Sequence, residues 1–386
     1  MESRARKGTL TLPTLRKLSV RTLSSRRLSV GILCGLALLS FPALGSDSAA
    51  WPEARETESK SDPFGDLDVP LGSVDSSNRW SFLTDNLRWA VDFAGRINTT
   101  ENSGYTNQEF FGVDLHKVVS TKNRDIGTLL VQLYVDYHSD PPPNRDHWDY
   151  KTRLLYFNYH VTGRGGLNIK VGHLLIPYGL NLPSRTPGTL RQFDTGANLG
   201  QKVDWGTSIN GISTNFNYEI SLTRGSGLEY DSDQGPYLIA GRVGTPEHLP
   251  LAMGISGLHG KILKNGKITD RTRVGVDWRW TGGVLDVLGE ISIGRDGHSK
   301  DIVNGFLDLS WRSPMEALLL YAQGNIMMNR EDSAPDSLPW EKVSYLTLGS
   351  QLALGTHYWL SADYRHEVTS TGKPDRIRAQ LRYRFF

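Results

Sequence analysis

From Arg88 onward the chain repeats one pattern: about ten residues in which apolar and polar side chains alternate, then a turn, then another such run. Successive side chains of a strand point to opposite faces, so each run is a ribbon apolar on one side and polar on the other. Trp89, Val91, Phe93, Gly95 and Ile97 oppose Arg88, Asp92 and Arg96. Thr272, Val274, Val276, Trp278 and Trp280 oppose Arg271, Arg273, Asp277 and Arg279. Tyr358, Leu360, Ala362 and Tyr364 oppose Trp359, Asp363 and Arg365. In the last run Ile377, Ala379, Leu381, Tyr383 and Phe385 oppose Arg378, Gln380, Arg382 and Arg384. Runs of this length are nearly twice the ~5–6 residues usual for strands. No stretch after residue 45 approaches the ~20 apolar residues that a spanning helix needs. The pattern therefore predicts an all-β fold, a transmembrane antiparallel β-barrel with its apolar face to lipid and its polar face to the lumen.

Sixteen runs can be drawn: 88–97, 109–119, 127–138, 151–162, 166–176, 205–213, 215–224, 236–244, 251–261, 271–281, 284–294, 302–313, 316–327, 343–354, 357–367 and 376–386. An even number is what a single-chain bacterial barrel requires. The connections then sort by parity. The odd ones are long and polar: 98–108, 139–150, 177–204, 225–235, 262–270, 295–301, 328–342 and 368–375. The even ones are mostly tight, as in Gly163-Arg164-Gly165, Gly282-Gly283 and Gly355-Thr356. This asymmetry predicts long extracellular loops and short periplasmic turns.

Residues 1–27 carry eight basic residues against the single acid Glu2, and an apolar run, Leu28 to Leu44, closes on Ala43-Leu44-Gly45. A basic region, a short apolar core and small residues before the cut describe a secretory signal peptide over residues 1–45. Without it the charged residues fall from 43 basic and 41 acidic to 35 and 40, so the basic character belongs to the signal and a nucleic-acid partner is not expected. The single cysteine, Cys34, leaves with it, so disulfide and Cys-metal chemistry are excluded from the mature chain. Residues 46–85, rich in Ser, Asp, Glu and Pro, read as a disordered periplasmic extension, and 86–386 as the barrel.

The closing run resembles the terminal strand of bacterial outer-membrane barrels, whose assembly machinery recognises a C-terminal Phe. The resemblance implies that Phe386, with Tyr383 and Phe385, is the assembly signal. Residues 177–204 form the longest connection and follow the fifth run, where general 16-stranded porins carry the loop that narrows the pore. The stretch Val171-Gly172-His173-Leu174-Leu175-Ile176-Pro177-Tyr178-Gly179-Leu180 is similar to the strand-into-loop segment of the phosphate-selective porin O/P family. That family's extracellular lysine cluster has no counterpart here, so phosphate selectivity does not carry over.

These features together predict an outer-membrane, porin-like channel for passive diffusion of small hydrophilic solutes in a Gram-negative bacterium. The expected pore-lining residues are Arg88, Arg96, Arg271, Arg273, Arg279, Arg365, Arg378, Arg382 and Arg384. Arg185, Arg191, Asp194 and Lys202 are expected on the constricting loop, with Asp204 at its end. An arginine wall facing a slightly basic loop predicts weak anion preference, unless the arginines pair with Asp92, Asp277 and Asp363 and merely brace the wall. A substrate-specific facilitator, or a structural or adhesive barrel without an open pore, are the alternatives. Lipid, lipopolysaccharide, the assembly machinery and a homotrimer are the expected partners.

No cofactor is expected. Asp231 with Asp233, and Asp332 with Asp336, have the oxygen density of a cation site but read as solvated loop acids. His138, His147, His160 and His173 lack zinc spacing, and no G-x-S-x-G nucleophile motif occurs, so neither a metal centre nor an enzyme is expected.

Overall fold

The computed structural model describes residues 86–100, 104–121, 124–139, 146–162, 165–181, 188–193, 202–228, 235–264, 266–297, 300–331, 340–369 and 375–386. The signal-like segment 1–45 and the extension 46–85 lie outside the described residues. All sixteen predicted runs are strands: β1 (Leu87–Thr100), β2 (Gly104–Ser120), β3 (Asp125–Ser139), β4 (His147–His160), β5 (Asn168–Leu175), β6 (Val203–Ile212), β7 (Asn217–Thr223), β8 (Tyr237–Gly244), β9 (Leu251–Lys264), β10 (Lys267–Gly282), β11 (Leu285–Asp296), β12 (Lys300–Arg312), β13 (Leu318–Glu331), β14 (Glu341–Ala353), β15 (Tyr358–Glu367) and β16 (Arg376–Phe385). Each pairs antiparallel with its chain neighbours, and β1 pairs with β16 from Val91 opposite Phe385 to Thr100 opposite Arg376. Closure leaves no unpaired sheet edge, which disposes of the backbone donors and acceptors that an open sheet would expose.

The predicted alternation sets the two faces. Phe93, Ile220, Ile255, Ile291 and Leu381 point outward and are 47–60% exposed, part of an apolar belt that runs round the barrel. Asp92, Asp277, Asp308, Asp363, Arg273 and Arg384 point inward and are buried. An exposed apolar surface of this extent is far beyond what a water-soluble monomer shows.

Three of the connections read as long are mostly strand. Residues 98–108, 262–270 and 295–301 shrink to the gaps between β1 and β2, β9 and β10, and β11 and β12. The ladder continues past the apolar belt, where polar pairs replace apolar ones: Asn98 Nδ2 donates to Thr106 Oγ1 at 3.3 Å, and Arg295 Nε to Asp301 Oδ1 at 2.7 Å. Alternation of hydrophobicity marks only the belt, so it ends before the hydrogen bonds do. The connections β3–β4, β5–β6, β7–β8, β13–β14 and β15–β16 remain long, and at the opposite end β10 turns into β11 through Gly283, whose φ of 62° suits a residue without a Cβ.

The inward face departs from the polar expectation in one sector. Leu238 and Ala240 of β8, Leu258 and Ile262 of β9, Leu288 of β11 and Phe306 of β12 all point in and are buried. Leu130, Leu154 and Leu174 form a further inward cluster with Tyr156. Apolar groups facing a lumen need something to cover them, and the long connection after β5 supplies part of that cover.

Candidate functional site: a lumen crossed by an inward loop

β5 ends at Leu175, and Ile176 N donates to Lys202 O at 3.1 Å, which closes the neck of the connection. Asn181 clamps the same neck, its Nδ2 donating to Ile176 O at 2.9 Å and Lys202 O at 2.8 Å. Pro177 has no N–H to continue the ladder, and the chain turns inward. Ile176 and Tyr178 then pack on Leu238, Ala240, Leu258 and Ile262. Leu180 and Phe193 pack on Leu288 and Phe306, the two phenylalanine rings edge-on at 5.5 Å. Three polar contacts fix the angle of insertion. Tyr178 Oη donates to Ser292 Oγ at 2.9 Å, Gly179 N to Ser256 Oγ at 2.9 Å, and Leu180 N to Glu290 Oε2 at 2.8 Å.

Gly179 has a φ of 52°, and a Cβ there would collide with the Glu290 carboxylate. Gly179→Ala therefore adds a left-handed backbone penalty of about 1–2 kcal/mol and displaces the acceptor of Leu180 N. The expected result is a loop that opens to protease while the barrel stays folded, read by limited proteolysis of the detergent-solubilised protein. Wild-type cleavage kinetics would contradict this anchor.

The returning limb reaches the opposite wall. Gln380 Nε2 donates to Gly188 O at 2.5 Å, Arg96 Nη2 to Thr189 O at 3.5 Å, Arg378 Nη2 to Leu190 O at 3.4 Å, and Gln323 Nε2 to Gln192 O at 3.1 Å. Arg191 forms an ion pair with Asp308 and donates to Ser310 Oγ at 3.1 Å. The described parts of the connection thus touch inward faces of β8, β9, β11, β12, β13, β16 and β1.

Most of the expected charges are engaged. Arg384 meets Asp92 at 2.9 Å and Asp114 at 2.8 Å, Arg382 Nε donates to Asp92 Oδ1 at 2.7 Å, and Arg378 pairs with Asp363. Arg271 and Arg273 share Asp296 at 2.9 and 2.7 Å. Asp277, one of the acids considered as a brace, takes Arg242 of β8, which was not among the expected arginines, at 2.6 and 3.0 Å. Arg279 lies on the same inward face of β10, and Arg88 lines a cavity at the turn end. On the loop, Arg191 is committed to the wall and Lys202 Nζ donates to Phe193 O at 2.8 Å, while Arg185 and Asp194 lie outside the described residues. Asp204 belongs to β6, where its carboxylate accepts the backbone N–H groups of Trp205, Gly225 and Gly227, so it is no constriction acid.

A different group of arginines is short of carboxylates. Arg96 donates to Gln380 and Gln108 and lies 4.6 Å from the Phe110 ring; Arg365 donates to Thr347 Oγ1 at 3.3 Å and lies 5.4 Å from the Tyr345 ring. Arg376, directly opposite Arg365, has a buried Nε without a hydrogen-bond partner among the described residues. It stands two residues from Arg378, whose carboxylate partner is Asp363. Arg376 has the parity of Arg378 and sits two residues before it, so the sequence carried the signal although reading alone did not single it out.

Tyr383, Phe385 and Phe386 join an aromatic group at the turn end, with Tyr383 4.8 Å from Tyr358, Phe385 5.4 Å from Trp89, and Phe386 5.2 Å from His357. The four histidines do not converge: His138 and His147 stack at 4.9 Å, His160 faces the cavity, and His173 Nδ1 donates to Arg153 O at 3.0 Å. Among the described residues no set of three or more His, Cys, Asp or Glu is arranged to hold a metal; residues 231–234 and 332–339 lie outside them. In the β15–β16 connection, Asp375 accepts from Tyr364 Oη at 2.5 Å and from His366 Nδ1 at 2.8 Å, and these bonds hold its carboxyl below the usual range.

No family model and no curated protein matches the sequence. Solved structures do share the fold. Salmonella typhi OmpF, in complex with daunomycin, superposes with a TM-score of 0.61 at 10% identity, over 78% of this chain and 97% of that one. An anion-selective porin from Comamonas acidovorans gives 0.55 at 12% identity, over 78% and 99%. In-vitro folded OmpT, an outer membrane protein of Vibrio cholerae in its trimer form, gives 0.54 at 13% identity, over 78% and 99%. At these identities the likeness is one of fold: a closed 16-stranded antiparallel barrel of the kind found in outer-membrane proteins.

Proposed function

We propose that this protein is an outer-membrane pore through which small hydrophilic solutes diffuse passively, with the connection between β5 and β6 as its constriction. The observation that carries this reading is the docking of the described parts of this connection, 176–181 and 188–193, on inward faces of the wall. A barrel of sixteen strands is too wide for its own side chains to fill, and here a docked segment narrows it. The apolar belt suits lipid and lipopolysaccharide, and the signal-like residues 1–45 suit export. The likeness to a protein described in trimer form supports a homotrimer. The resemblance to the porin O/P stretch rests on residues that here do the anchoring, Pro177 to Leu180, which supports a shared way of inserting the loop.

A weak anion preference belongs to this reading, but its source moves. Arg378, Arg382 and Arg384 have carboxylate partners and brace the wall, as the sequence left open. Arg96, Arg365 and Arg376 carry the uncompensated charge, and arginine keeps that charge at any physiological pH. The purified protein in a planar bilayer should give discrete conductance steps and an anion-signed reversal potential in a KCl gradient. Arg96→Gln, Arg365→Gln and Arg376→Gln combined should move that potential toward cations. The shift should be larger at 0.01 M salt, where charges act over about 30 Å, than at 0.1 M, where they act over about 10 Å. Absence of steps would favour an occluded structural barrel, and a cation-signed wild type would end the anion reading.

A further inference from the structure

Beneath the inserted loop, toward the turn end, lies a cavity of about 560 Å³ between Pro177–Asn181 and the inward faces of β1 to β8. That size falls within the roughly 300–1,000 Å³ of small-molecule sites. Its chemistry differs from that of the arginine-rich wall. Across β3 to β7 the lining is neutral in sum: Lys170 and Glu219 form a 2.7 Å pair, and Ser208 Oγ also donates to Glu219 at 2.7 Å. Arg242 is spent on Asp277. Between these pairs runs a relay of carboxamides. Asn168 Nδ2 donates to Asn210 Oδ1 at 3.2 Å, and Asn210 Nδ2 donates to Asn158 Oδ1 at 3.1 Å. The register brings them together, with Asn168 opposite both Asn210 and His160.

A relay of three amides satisfies its members internally and leaves its ends open. Asn168 is 6% exposed, yet its Oδ1 has no partner among the described residues, and Asn217 Oδ1 is in the same state. At the other end Asn158 finds no acceptor for its own N–H groups among the described residues. Turning any amide over exchanges the ends but does not remove them. A buried polar group without a partner is costly, so the site favours an occupant that both donates and accepts. A hydroxyl does both, and vicinal hydroxyls can meet an acceptor and a donor together. No net charge favours an ion: Glu219 is paired with Lys170, Arg242 with Asp277, and the other lining residues of fixed charge, Arg88 and Glu247, are one of each sign. The Tyr156 ring offers no stacking face: it is 7% exposed, and Lys170 Nζ sits 5.1 Å from its centroid.

We propose that this cavity is a recognition site for a neutral polyhydroxylated solute, held by the Asn158–Asn210–Asn168 relay on the turn side of the constriction. It goes beyond the pore reading and relies on it only for the route by which the solute arrives. Glucose is the probe, with glucuronate as its charged counterpart. Saturation-transfer NMR on the detergent-folded full chain should show glucose binding that saturates in the millimolar range, with glucuronate weaker. Asn210→Leu and, separately, Asn168→Leu should each weaken glucose by about fivefold, the loss of one neutral hydrogen bond. Heat-modifiable migration checks folding, and Asn210→Leu covers the case in which Asn168→Leu disturbs the turn it caps through Gly165 O. A glucose signal that rises without saturating, equal affinity in both folded variants, or glucuronate binding as well as glucose would each overturn the proposal. Saturable glucose binding by a barrel that shows no conductance would leave this site standing and remove the pore reading instead.

Discussion

Leu180→Ala combined with Phe193→Ala is expected to raise single-channel conductance several-fold while the barrel remains folded. Both side chains belong to the loop, both are buried, and both rest on the inward Leu288 and Phe306. Truncating a buried Leu costs about 2–5 kcal/mol and a buried Phe about 3–5 kcal/mol, less than additively here because the two share one cluster. None of that loss falls on the strand ladder, which closes through backbone hydrogen bonds independent of the loop. The penalty therefore acts on docking alone. The remaining polar anchors at Tyr178, Gly179 and Arg191 are groups that water can satisfy once the loop lifts. A planar-bilayer recording of the folded double variant measures the outcome. Wild-type conductance would mean that the loop does not set the width of the pore.

The architecture was legible in the sequence because a barrel strand has only two environments, and a period of two reports them directly. Trp89 to Ile97 and Ile377 to Phe385 fall on the outward face as the alternation requires. Two kinds of information lay outside that signal. One is the end of each ladder: Arg295 opposite Asp301 and Asp296 opposite Lys300 are strand pairs between polar residues, and hydropathy reads them as loop. The other is the inward apolar seat. Leu238, Ala240, Leu258 and Ile262 weaken the alternation of β8 and β9. The physical cause is that a segment distant in sequence covers them.

Charge partners were legible only as types. Parity places Arg378 and Asp363 on the inner face, but not which acid an arginine reaches. That depends on what the intervening strand leaves open. Arg242 of β8 crosses β9 to reach Asp277 because Gly254, opposite Asp277, has no side chain to block it. Tyr321 of β13 crosses β14 at Gly349 to donate to Asp363 Oδ2 at 3.3 Å. A glycine in a strand invites a reading as a weak point; here it is a gap through which a longer side chain passes. The amide relay escaped for the same reason. Asn158, Asn168 and Asn210 are scattered in sequence, and only the β4–β5–β6 register aligns them.

At the seam, Arg384→Leu is expected to lower the stability of the folded barrel by about 3–5 kcal/mol, the range for removing one partner of a buried ion pair. Arg384 of the last strand reaches across the closure to Asp92 of β1 and on to Asp114 of β2, and all three side chains are buried. Without it, Asp92 keeps Arg382, but the hydrogen-bond partner left to Asp114 is the hydroxyl of Tyr134, which donates to it at 2.9 Å. An uncompensated buried carboxylate is the main cost, not the lost attraction. Arg384→Leu with Asp114→Leu should therefore recover much of the loss, since neither buried charge is then stranded and two apolar groups fill the space. Arg365→Leu provides the contrast: its partners are a hydroxyl and a ring, and no carboxylate is left behind, so about 1 kcal/mol or less is expected. Urea unfolding of the three variants in lipid, followed by tryptophan fluorescence, gives the midpoints. Equal midpoints for Arg384→Leu and wild type, or no recovery in the double variant, would show that β1 and β16 are held together by the ladder alone.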